Sequence, residues 1–127
     1  MRGQAPCVCT VWTRALGELA ALERATKHRS EFMRPWEETP HSVAHGILDD
    51  ETYDWLAVVK GMIASRGTAV VVDEDTLREA NALARSATGI NVSHTGSAGL
   101  AGLLQLQRDG VVKPGEKVAV LFSGVQQ

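Results

Sequence analysis

The chain carries little excess charge of either sign. Lys+Arg number 13 against Asp+Glu 15, a formal net of −2. No basic stripe stands out, so a nucleic-acid partner is not expected. Long apolar runs are also missing. None approaches the roughly 18 residues needed to cross a bilayer, so no membrane partner is expected. The opening Met-Arg-Gly-Gln-Ala-Pro leads into no long apolar core, so no secretory signal is expected either. The compartment expected from these features is the cytoplasm. Cysteine is scarce: Cys7 and Cys9 are the two present. On a strand they would share a face, where a disulfide between them would be strained. No second cysteine pair completes a metal site. The expectation is two reduced, buried thiols.

Several chemistry-bearing patterns are absent as well. Neither the Walker phosphate loop nor the dinucleotide fingerprint occurs. The serine near the end, Ser123-Gly124, lacks the G-x-S-x-G frame of a nucleophile elbow, because Leu121 stands where the first glycine belongs. A Ser–His–Asp arrangement with His94 is therefore not expected. His41 and His45 lie four residues apart, a spacing that would place them on one helical face, but no H-E-x-x-H accompanies them. Surface or loop histidines are the plainer reading. There is no internal repeat and no low-complexity segment.

What is present has a regular rhythm. Val8–Trp12 is a short apolar strand candidate, and Arg14–Lys27 carries Leu16, Leu19, Ala20 and Leu22 at helical spacing. Pro35 and Pro40 interrupt the next stretch, and residues 34–48 form the one interior joint. Asp49 or Asp50 offers an N-cap to a helix over about 51–65, with Trp55, Leu56, Val59, Met62 and Ile63 on one face and Gly67 at its stop. The run Thr68-Ala69-Val70-Val71-Val72 suits a strand covered on both faces. Asp73 then caps a helix with the stripe Leu77, Ala80, Leu83, Ala84, Ala87, ended by Gly89. Residues 90–92 are a brief strand candidate. A leucine-rich helix follows and stops at Gly110. Lys113-Pro114-Gly115-Glu116 is a turn, and Val118–Phe122 is the last strand. This alternation predicts an α/β fold with a largely parallel sheet. It makes 68–72 and 118–122 neighbours or near neighbours in one sheet.

Two places on such a fold invite a ligand. Thr95-Gly96-Ser97-Ala98-Gly99 opens a helix with small residues, where free N–H groups and the helix dipole suit an anion. The recurrence Gly96, Gly99, Gly102 fits close packing equally. Ser123-Gly124 falls at the C-terminal tip of a strand, where open α/β sheets place ligands, or is simply the turn that ends it.

The stretches "PWEETPHSVAHGILDDETYDW", "GTAVVVDEDTLREANALA", "TGINVSHTGSAGLAGLL" and "KPGEKVAVLFSG" together resemble the C-terminal part of threonine synthase-like pyridoxal-phosphate enzymes, within the tryptophan synthase β-like superfamily. The resemblance implies a lyase of amino-acid biosynthesis, eliminating phosphate from a phosphorylated homoserine and adding water. It implies pyridoxal 5'-phosphate as cofactor, with Ser123 toward the pyridine nitrogen, Gly124 turning the chain past the ring, and Thr95 and Gly96 approaching the cofactor. It divides the chain into a partial N-terminal strand and helix at 1–33 and the C-terminal α/β portion of the enzyme domain at 34–127. None of the four lysines, Lys27, Lys60, Lys113 and Lys117, stands in a Schiff-base context, and the phosphate loop is absent. The expectation is thus a truncated gene, a fragment or a split subunit, inactive alone and competent only with its missing portion. The expected partners are a small amino-acid-like substrate and either a second copy in a homodimer or the missing N-terminal portion. The alternative is an α/β module that binds a small metabolite without catalysis, or an inert piece.

Overall fold

The structure is a computed structural model. It describes residues 23–24, 26–28, 30, 37, 39–48 and 53–126. The two cysteines, the Val8–Trp12 strand candidate, most of the Arg14–Lys27 helix candidate and the Asp49/Asp50 cap lie outside the described residues. Glu23 and Arg24 are helical, and the N–H groups of Lys27 and His28 both donate to the Arg24 carbonyl at 3.0 Å.

Three α-helices are described in full: α1 (Trp55–Ser65), α2 (Glu74–Thr88) and α3 (His94–Arg108), preceded by a single 3-10 turn at His45–Ile47. α1 ends at Ser65, the predicted end, with Gly67 taking part in its closure. Arg66 takes the left-handed conformation at φ 55°. Its N–H donates to Ile63 O at 3.3 Å while Gly67 N–H donates to Met62 O at 2.9 Å. That pair of bonds is the Schellman closure, which satisfies carbonyls the last turn leaves open.

α2 begins and ends where its residues direct. Asp73 is extended, and its carboxylate accepts from Thr76 N–H at 2.7 Å. That bond supplies a partner to one of the first-turn donors. Gly89, at φ 72°, returns its N–H to Arg85 O at 2.9 Å. α3 repeats the device with Ser93, whose hydroxyl accepts from Gly96 N–H at 3.0 Å.

The core lies between α2 and α3. Leu77 and Ala80 of α2 and Ala101 of α3 are buried with Ala44 and Val72, and Val70, Ala98, Leu100 and Leu104 pack around them. The 3-10 turn rests against the start of α3, where Gly46 N–H donates to the Thr95 hydroxyl at 3.0 Å. Glu74 holds the preceding chain by accepting from Val43 N–H at 3.0 Å. At the far end, Arg108 in the last turn of α3 donates to the Thr76 hydroxyl at 2.8 Å and pairs with Glu79.

The expected α/β fold is not what forms. Among the described residues there is no β-strand, and the one β-bridge is an isolated antiparallel contact between Val92 and Val125. The domain is small and mostly helical. The runs 68–72 and 118–122 are neither helical nor laddered. Among the described residues, the backbone groups of 69–72 and 117–122 exchange no hydrogen bond with other backbone. The physical reason is that a short apolar run rich in β-branched residues favours an extended chain but does not specify a strand partner. Here helix lies alongside: a Cβ added to Gly102 of α3 would come 3.9 Å from Val70 Cβ, and one added to Gly99 would come 3.8 Å from the Leu121 carbonyl oxygen and Val120 Cγ1. Two extended segments lie against one helix without joining each other. The turn before the second is as expected, with Glu116 N–H donating to Lys113 O at 3.2 Å and Gly115 at φ 89°. No helix among the described residues is long and apolar enough to cross a membrane.

Candidate functional site

The structure gathers the four residues singled out in the sequence. Thr95 and Gly96 open α3, and Ser123 and Gly124 lie directly across from them. Ser93 N–H donates to Gly124 O at 3.1 Å, and Ser123 N–H donates to Gly96 O at 3.3 Å. The clasp continues along the chain. Gln126 N–H donates to Asn91 O at 2.8 Å, and the Asn91 side-chain amide returns a bond to Gln126 O at 3.0 Å. A loop and a helix start therefore grip the final segment from one side.

The spacing of the glycines explains how the backbones come so close. A Cβ on Gly96 would overlap the Gly124 carbonyl oxygen and lie 2.7 Å from the Gly124 nitrogen. Both groups are main chain, so neither can rotate away. Close backbone approach is thus the use made of Gly96, whereas a Cβ on Gly99 or Gly102 would make only ordinary contacts at 3.8–3.9 Å. Two of the donors that suggested an anion site, Gly96 N–H and Ser97 N–H, are already engaged, and the Thr95 hydroxyl serves as an acceptor. Ser93 Oγ takes Gly96 N–H, Ser93 O takes Ser97 N–H at 3.0 Å, and the Thr95 hydroxyl takes Gly46 N–H.

Beneath this junction sits a buried polar group that the helical stripe did not reveal. Asn81 is 4% exposed and Ser97 is fully buried. The Asn81 amide donates to Val92 O at 2.9 Å and to Ser97 Oγ at 3.1 Å, and Ser97 Oγ donates to Ser93 O at 2.9 Å. No buried side-chain polar atom among the described residues lacks a partner. The cluster joins α2 to the loop and first turn of α3, so it holds the surface that receives Gly124. The small polar residues Asn81, Ser93 and Ser97 recur around one loop. That is the signal the sequence offered for it, masked by the neighbouring leucines and alanines.

The remaining candidates stand apart. His41 and His45 are exposed, His45 opening the 3-10 turn. No group of three His, Cys, Asp or Glu among the described residues could hold a metal ion. Lys27, Lys60, Lys113 and Lys117 are all exposed.

These elements define a small helical domain with extended segments laid on its third helix. Comparison with family models, with curated proteins and with solved structures finds no match. The resemblance to threonine synthase-like enzymes is accordingly corrected. It required a parallel sheet whose strand tips open a crevice, with Ser123 and Gly124 at one tip. The described residues form no sheet, and Gly124 sits against a helix start rather than at a crevice. The lyase activity, the enzyme assignment and the pyridoxal 5'-phosphate cofactor rested on that sheet and fall with it. The alternative of a metabolite-binding α/β module loses its scaffold for the same reason.

Proposed function

We propose that this chain is an association module, and that its partner is a second copy of itself paired along residues 118–122. The observation that carries this reading is the final extended segment. From 119 to 125 burial alternates with period two: Val120, Phe122 and Gly124 are partly covered, while Ala119, Leu121, Ser123 and Val125 are exposed. Leu121 is 84% exposed and Val125 64%. Such alternation belongs to a strand with one face on a core. This one also leaves its backbone groups at 117–122 without backbone partners among the described residues. Unpaired edges of this kind are templates for another strand.

The segment suits its own copy. An antiparallel pair centred on Val120 sets Val118 opposite Phe122 and Ala119 opposite Leu121, an isologous arrangement with apolar side chains in every pairing. No charge or proline interrupts residues 118–126.

The test is the mass in solution across a dilution series, by light scattering or sedimentation. The chain should exceed its monomer mass of 13.6 kDa at high concentration and fall to it on dilution. Leu121→Lys should remain monomeric while keeping its helical circular dichroism, because its side chain contributes almost nothing to the core. A monomer at every concentration would overturn the proposal. So would an unaltered association in Leu121→Lys.

A further inference from the structure

We draw no further inference here: the strongest candidate, the half-exposed apolar surface of the first helix at Leu56 and Val58 beside the exposed Tyr53, carries nothing because nothing in the structure shows what covers it.

Discussion

Two glycines separate the two reasons a residue must lack a side chain. Gly89 has nothing within 4 Å of a Cβ but sits at φ 72°. Gly96 lies in a regular helix with a neighbouring backbone where its Cβ would be. Gly89→Ala should therefore lose about 1 kcal/mol through left-handed strain alone and leave the rest of the fold in place. Gly96→Ala gains helix propensity but is overpacked against main chain, at a cost of about 1–3 kcal/mol. It should also release the grip on 123–126. Chemical denaturation measures both losses, and amide exchange at Ser123 and Gln126 distinguishes them. Faster exchange there in Gly96→Ala, and not in Gly89→Ala, is the expected outcome. Asn81→Ala removes a donor from two buried acceptors, Val92 O and Ser97 Oγ, and should cost about 1–3 kcal/mol. A loss well below that range in denaturant titration would mean that the polar cluster does not hold the loop. At this scale the sequence was informative where a residue acts locally. Asp73 and Gly89 announced the ends of α2 through cap chemistry. Asn81 did not announce itself, because its partners lie 11 and 16 residues away. Gly67 marked the stop of α1, although the residue that turns left-handed there is Arg66.

The elements follow the same division between local and distant causes. α2 is well marked because its cap and its apolar spacing lie within one stretch of chain. Even so, Leu83 is 44% exposed, and the buried stripe runs instead through Thr76, Leu77, Ala80, Asn81 and Ala84. Periodicity locates a face, but which edge of the face is covered depends on where α3 crosses. The cap has a pH signature. Thr76 N–H, bonded to the carboxylate, holds the Asp73 carboxyl below its usual range, with smaller help from the Thr76 hydroxyl and Arg108 and a small opposing effect of burial. A lowered folded-state value means that this contribution is complete above the unfolded carboxyl's value, about pH 4. It is lost as pH falls through the lower, folded-state value. Asp73→Ala should cost about 0.5–2 kcal/mol at neutral pH. Asp73→Asn should keep most of the cap and flatten the acid side of the stability profile. Thermal melts from neutral pH into the acid range check this, and an identical acid slope in wild type and Asp73→Asn would contradict it. The extended runs 68–72 and 118–122 show the limit of reading elements from sequence. Their apolar composition favours an extended backbone, partly buried at 69–72 and covered on one face only at 118–122. Pairing depends on which chain lies alongside, and that information is not in either run.

For the whole molecule, one helix acts as a platform. α3 meets α2 through the Ala101 and Leu77 core, the 3-10 turn through Thr95, and both extended segments through its glycines. The alternation of helix and extended chain was legible in the sequence. The inference from that alternation to a parallel sheet was not sound, because the same rhythm arises when extended segments pack on a helix without pairing. Among the described residues, 117–122 form an apolar extended segment with no backbone partner, held at one end by the clasp at 123–126. Amide hydrogen exchange at residues 117–122, followed as a function of protein concentration, tests this account most directly. In dilute monomer these amides should exchange far faster than that of Gln126, which is bonded to Asn91 O, and they should become protected as concentration rises. Strong protection of 117–122 in a solution shown to be monomeric would contradict the account, because it would mean that the segment is already paired within a single chain.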